Sequence, residues 1–289
     1  MSITKKTVAW LALAGGFVIF GMKLAAYFLS GSVALLSDAM ESIVNLLASG
    51  LMLYAIYLSD KPPDRSHNYG HQKVENISSL TEGLLIMVAA ALIAEKAVDR
   101  LITPSELTNI NAALIISLAA TSLNGLLSWL LLKTSRKFGS LALEGDSKHL
   151  FSDVLSSVAV AAGLALAKLT GWYFLDSALA LAVTVLLFKM AVDLIKKSST
   201  GLMDQSCPDE EARIIEVIKR HDQLFVDFHD IKTRRSGSKV FAEMHLSVKG
   251  DKTVAEAHKL TDHLEEELNQ ELPEVSLTIH VEPPQNQIR

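Results

Sequence analysis

A bundle of six membrane-crossing helices followed by a small α+β domain is the fold class this sequence predicts, and three observations predict it. Of the 289 residues, 49% are hydrophobic and only 20% charged, and the two kinds are segregated: apolar runs dominate up to about Lys197, charge and histidine after Cys207. The apolar part resolves into six runs, each matching the roughly 20 residues a helix needs to cross a bilayer. The polar part alternates helix-period and strand-period segments, as a small soluble domain does. The expected division is a membrane domain over 1–203 and a water-facing domain over 204–289.

The spans fall near Val8–Leu29, Val33–Leu58, Ile77–Val98, Ala112–Leu132, Leu141–Lys168 and Leu175–Ile195. Helices are the open-chain option in lipid, because each backbone group must be satisfied within its own segment. The first run has no small-residue cleavage site in the expected place and is read as a retained span. Glu75 and Glu82 interrupt the start of the third. The fifth opens with Glu144, Asp146 and Lys148, so its first two turns are expected to project into water or line a cavity. If the six spans alternate, Lys5, Lys6, Lys61, Arg65, Lys73, Lys133, Arg136, Lys137, Lys196 and Lys197 all fall on one side. The positive-inside rule then places both termini in the cytoplasm.

After the membrane part, Pro208–His221 reads as an amphipathic helix with Ala212, Ile215, Val217 and Ile218 as its stripe. Phe228–Arg235 and Lys239–Val248 read as strands joined at Ser236-Gly237-Ser238. Thr253–Leu272 is a second helix burying Val254, Ala257, Leu260, Leu264 and Leu268, and Val275–Val281 is a last strand. The order αββαβ predicts a small sheet with helices on one face. Cys207 is the single cysteine, so no internal disulfide forms and it is read as a bystander thiol. The net charge of −5 says little, because the two parts differ in character; with no nucleic-acid motif or broad basic patch in the sequence, no nucleic-acid partner is expected.

Two stretches read alike: Asp38-Ala-Met-Glu41-Ser-Ile-Val-Asn45 in span two and Asp146-Ser-Lys-His149-Leu-Phe-Ser-Asp153 in span five. Positions i and i+4 share a helix face, so each stretch aims two ligands at one point. Glu41, Asn45, His149 and Asp153 make four, the number a tetrahedral divalent-metal site needs. The copies lie three crossings apart, so the second is inverted relative to the first. Each pair is about eight residues, or 12 Å, into its segment. The two pairs therefore meet near the membrane midplane, the plan of inverted-repeat transporters. Asp38 and Asp146, one turn outside, are placed for access to the site. An intramembrane metalloenzyme is disfavoured: there is no His-Glu-x-x-His, and four protein ligands leave no position for a catalytic water.

Two further clusters carry metal-binding chemistry. Asp64, His67 and His71 recur at spacings of three and four in the first cytoplasmic loop. Six of the nine histidines follow Cys207. Of these, His229, His245, His258 and His280, with Glu282, are candidate ligands, whereas His221 and His263 are read as surface residues.

With the paired motifs, the loop His67-Asn-Tyr-Gly-His71-Gln-Lys-Val-Glu75, and Gly201-Leu-Met-Asp204 leading to Pro208-Asp-Glu-Glu, the chain resembles the cation diffusion facilitator family from about Val8 to Pro283. The resemblance implies a six-helix, homodimeric exporter exchanging cytoplasmic divalent metal for protons. It also implies a metallochaperone-like cytoplasmic domain that binds regulatory metal. It assigns Glu41, Asn45, His149 and Asp153 to transport, Asp64, His67 and His71 to a loop site, and His229, His245, His258, His280 and Glu282 to cytoplasmic sites. Lys73 and Asp204 match a charge pair tying the two domains together. In one respect the chain departs from the pattern: zinc exporters of the family place His or Asp, then Asp, where this chain has Glu41 and Asn45. Three oxygens and one nitrogen make a harder set than two histidines with two aspartates, so Fe²⁺, Mn²⁺ and Co²⁺ stand beside Zn²⁺, the lead; Cd²⁺ is a further candidate. The location implied is a bacterial inner membrane. The rival reading is a membrane-bound metal sensor with little flux.

Overall fold

The computed structural model describes residues 4–30, 33–102, 111–170, 172 and 174–284. It divides into two compact units between Ser199 and Thr200. The first contains six long helices: α1 (Lys5–Ser30), α2 (Val33–Ser59), α3 (Val74–Ile102), α4 (Asn111–Phe138), α5 (Leu141–Thr170) and α6 (Phe174–Leu202). At 26 to 30 residues each is long enough to span a bilayer. Among the described residues, Lys5–Ala25, Ser42–Ser59, Val74–Asp99 and Ser177–Leu202 are also apolar enough by composition. In α5, Glu144, Asp146, Lys148, His149 and Asp153 dilute the apolar character, although the helix is the longest. Large apolar side chains such as Phe17, Leu47, Leu126 and Val185 point outward, as lipid contact requires. The chain is an integral membrane protein.

α1 packs on α2 and α4, α4 on α5, and α5 on α3 and α2. Met52 and Ile56 of α2, Leu131 of α4 and Leu143 of α5 fill this centre with Val8 and Ala9 of α1. A second cluster joins Ile86 and Ala90 of α3 to Leu187, Ala191 and Leu194 of α6. The turn between α4 and α5 is a Schellman cap. Gly139 sits at φ +63°, and the Ser140 N–H donates to the Ser135 carbonyl at 3.2 Å, satisfying a carbonyl the helix end would leave open.

One end of the bundle is laced through a single buried acid. Glu75, at the start of α3, accepts from Lys5 Nζ at 3.1 Å, Ser59 Oγ at 2.8 Å and Ser140 Oγ at 2.5 Å. The start of α1, the end of α2 and the start of α5 therefore share one end of the bundle, as alternating spans demand. The opening of α5 differs from expectation. Leu143, Asp146 and Ser147 are buried because this stretch is packed against α2, α3 and α4, with Ser147 hydrogen-bonded to Ser128 of α4.

The second unit comprises α7 (Pro208–Lys219), a 3-10 turn (Asp222–Leu224), β1 (Asp227–Ser236), β2 (Lys239–Ser247), α8 (Val254–Glu271) and β3 (Val275–Glu282). Pro208 at the first helical position and Asp209, Glu210 and Glu211 in the first turn suit a helix start. Thr253 and Glu256 close a capping box on α8. The sheet order is β1-β2-β3, with β1 antiparallel and β3 parallel to β2; α8 is the crossover the parallel pair needs. Val240, Ala242, Met244 and Leu246 alternate along β2 into a core with Ile214, Ile218, Leu260, Leu264 and Leu268. The α7 stripe is shifted in phase from the sequence reading, whereas α8 buries the expected Leu260, Leu264 and Leu268 but starts its stripe later. α7 buries Ile214, Val217 and Ile218, leaving Ala212 exposed. α8 buries Thr261 beside its leucines and leaves Val254, next to the cap, 88% exposed.

Candidate functional site

Asn45 on α2 and His149 and Asp153 on α5 meet inside the bundle, all buried. The Asn45 Nδ2–H donates to Asp153 Oδ2 at 2.5 Å, and its Oδ1 lies 2.9 Å from His149 Nε2. One amide thus bridges both α5 residues, and an oxygen, an imidazole nitrogen and a carboxylate converge where an ion could replace the bridge. Asp38 and Glu41 fall on α2 by backbone, and their side chains lie outside the described residues. Asp146 is fully buried, and its Oδ1 accepts from Ser49 Oγ at 2.9 Å; it faces α2 one turn from the cluster rather than open solvent.

Sequence reasoning passed over Glu82 of α3, which it took only as an interruption of an apolar run. Its side chain is fully buried, and Oε2 lies 3.8 Å from His149 Nδ1. The signal available was its cost: an intramembrane acid is a candidate functional group by default.

The loop residues come together. Asp64 Oδ1 is 3.4 Å from His67 Nδ1, and Oδ2 is 3.4 Å from His71 Nε2. One ligand atom from each of the three lies within 4.8 Å of the others. The backbone N–H groups of His67 and Ser66 donate to Asp64 Oδ1 at 2.7 and 2.8 Å, and the first of these leads in holding its carboxyl below the usual range. The acid therefore stays ionised, as a metal ligand must.

In the second unit, His229, His245 and Glu282 form a comparable triad. Glu282 lies 3.2 Å from His229 Nε2 and 3.3 Å from His245 Nδ1. His280 pairs its ring with His245 at 4.8 Å between centroids. His258 stands apart from the triad, 3.5 Å from Asp262, but lines with Glu282 a surface cleft of about 570 Å³. Asp230 was not anticipated. At φ 52° it occupies a bulge in β1 between His229 and Lys232, 3.9 Å from His245 Nε2. A hydrogen bond from Lys232 holds its carboxyl below the usual range. Bulges re-aim side chains, and this one turns an acid toward the imidazoles. Two imidazoles and a carboxylate within reach of one another suit a borderline divalent ion. Asp204, also left-handed at φ 55°, lies 3.9 Å from Arg234 Nη1. Lys73 stands two residues into the turn before α3 from His71, in the other unit.

Residues 9–203 match the family model of the cation efflux transmembrane domain, and residues 207–284 that of the cation efflux protein cytoplasmic domain. An uncharacterized transporter of Synechocystis is 37% identical over 276 residues, covering 95% of this chain and 89% of that protein. The cation-efflux pump FieF of Shewanella oneidensis is 29% identical over 280 residues, covering 97% and 94%. The metal-bound C-terminal domain of the CzcD transporter from Thermotoga maritima is 34% identical, covering 27% of this chain and 92% of that one with a TM-score of 0.26. The first of these models covers about two thirds of the sequence, and the chain belongs to the cation efflux family of membrane transporters.

Proposed function

We propose that this protein exports divalent metal ions from the cytoplasm in exchange for protons, with zinc the lead substrate and Fe²⁺, Mn²⁺, Co²⁺ and Cd²⁺ as further candidates. The observation that carries the reading is the buried convergence of Asn45, His149 and Asp153 from two helices. Glu41, one turn from Asn45, completes the proposed transport set. The family and the relative named as a cation-efflux pump support the same direction of transport. Metal and protons compete for the same atoms. An imidazole must shed a proton to ligate and carboxylates must be ionised, so loading on the metal-rich side and protonation on the other alternate at one site. An unperturbed imidazole titrates near 6.5, within reach of a physiological proton gradient.

The proposed assembly is a homodimer in a bacterial inner membrane with both termini cytoplasmic. Asp64, His67 and His71 would form an entry-side metal site, and Lys73 with Asp204 would tie the two domains. His229, His245 and Glu282, with His280, His258 and Asp230 nearby, would hold regulatory metal. That triad also favours the rival sensor reading, and removing residues after Asp204 separates the two: a transporter keeps weakened flux, whereas a sensor loses its response. The direct test is metal uptake into proteoliposomes under an imposed pH gradient, run over the five ions. Asp153→Ala is expected to abolish metal-driven proton movement; unchanged flux would remove the assignment.

A further inference from the structure

Glu82 belongs to neither paired motif, yet its position is built into the packing of α3 against α5. The side chain is fully buried, and neither carboxylate oxygen has a hydrogen-bond partner among the described residues. A buried, unsatisfied carboxyl is expensive, so its retention calls for something to face. What it faces is His149: Oε2 is 3.8 Å from Nδ1, one small side-chain adjustment beyond hydrogen-bonding distance. The opposite ring nitrogen, Nε2, faces Asn45 Oδ1 at 2.9 Å, an acceptor for the proton that Nε2 gives up when an ion takes its lone pair. The cradle is made by Gly145 of α5. A Cβ there would stand 3.0 Å from Glu82 Cγ, 3.2 Å from its Cβ and 3.0 Å from Ser79 Cα. A side chain at 145 would make Glu82 and Ser79 give way by a few tenths of an ångström.

We infer that Glu82 is a positioning residue of the transport site: its carboxylate accepts the Nδ1–H of His149, fixing the tautomer and ring orientation that present the Nε2 lone pair to the ion. Carboxylates set behind metal-ligating histidines act in this way, and their loss lowers metal affinity or activity about 10–100-fold. The assignment rests on the transport-site reading above. It also bears on the departure at Asn45. The amide there brings no charge to the ion, and Glu82 places a carboxyl behind the one nitrogen ligand instead.

The test compares Glu82→Gln, Glu82→Leu and Asp153→Ala in proteoliposomes loaded from the full chain, with Zn²⁺ uptake measured against concentration. Gln fills the same space as Glu, so a packing role predicts wild-type behaviour for Gln and failure for Leu. Positioning predicts that Gln raises KM about tenfold or more while kcat stays within a few-fold, and that Asp153→Ala abolishes uptake. Wild-type KM in Glu82→Gln, with Asp153→Ala dead, overturns the role of Glu82 and leaves the transport site standing. Full uptake by Asp153→Ala overturns both. A measurement on the unaltered protein covers the case in which the variants misfold: ¹⁵N NMR of imidazole-labelled, zinc-loaded protein, with His149 assigned by its loss in His149→Gln. Zinc on Nε2 with a proton on Nδ1 is the expected state; zinc on Nδ1 overturns the inference.

Discussion

Replacing Glu75 by alanine tests whether one buried acid holds an end of the helix bundle together. The carboxylate accepts from Ser59 and Ser140 at 2.8 and 2.5 Å, and a hydrogen bond to a charged group contributes about 1.5–3 kcal/mol. Its ion pair with Lys5, whose side chain is 23% exposed, adds about 1 kcal/mol after solvent screening. The gross gain of about 4–7 kcal/mol is offset by several kcal/mol of carboxylate desolvation. Deleting one partner of a buried pair costs about 3–5 kcal/mol. The lower end applies because Lys5 keeps Asp60 at 3.7 Å, which gives about 3 kcal/mol. At about 2–4 °C per kcal/mol for a unit of this size, Tm should fall by about 6–12 °C. Glu75→Gln, which keeps one acceptor oxygen, should fall about half as far. The assay is intrinsic fluorescence during heating of detergent-purified protein. Trp10, Trp129 and Trp172 are the three tryptophans and all lie before the second unit, so the signal reports on the bundle alone. A fall below about 2 °C for the alanine variant would refute the idea that Glu75 ties these helices.

Two further outcomes are expected in the second unit. Glu282 is the carboxylate that faces both His229 and His245, so Glu282→Gln should weaken Zn²⁺ binding there by at least about tenfold, or 1.4 kcal/mol. Calorimetric titration of the protein carrying Asp153→Ala, which removes a ligand of the proposed membrane site, measures this, and equal affinity would count against the triad. Acid should loosen α8. The backbone N–H and hydroxyl of Thr253 hold the Glu256 carboxyl below its ordinary 4.5, so its contribution is complete above that pH and is lost as pH falls through the lowered value. Circular dichroism between pH 5 and about pH 2 should show Glu256→Gln without this component; superimposable curves for the two proteins would reject it.

The order of elements was legible because each run of sequence carries its own period. The i,i+4 spacing of His149 and Asp153 likewise contains its own geometry, since one helix supplies both residues. Glu82 was not legible in that way. A lone acid in an apolar run reveals its expense but not its address, which depends on Gly145 letting another helix approach. The phase of α7 failed for a related reason. Ile214 and Ile215 are adjacent, either can lead a stripe, and the packing against Leu260, Leu264 and Leu268 selects the first. Asp230 was hidden by strand alternation, which a bulge interrupts without any glycine to announce it.

His229, His245 and His280 stand on one rung of the sheet, each directly opposite the next. Their separation is therefore ruled by the backbone ladder, about 4.8 Å from strand to strand, and not by anything they bind. Substituting one leaves the gauge between the other two unchanged. The cluster of Asn45, His149 and Asp153 has no such ruler. Its width is whatever the gap between α2 and α5 happens to be, so a slide of one helix past the other opens or shuts it. On the proposed reading, the same chain pairs a caliper of fixed gauge in one unit with a vice of adjustable width in the other.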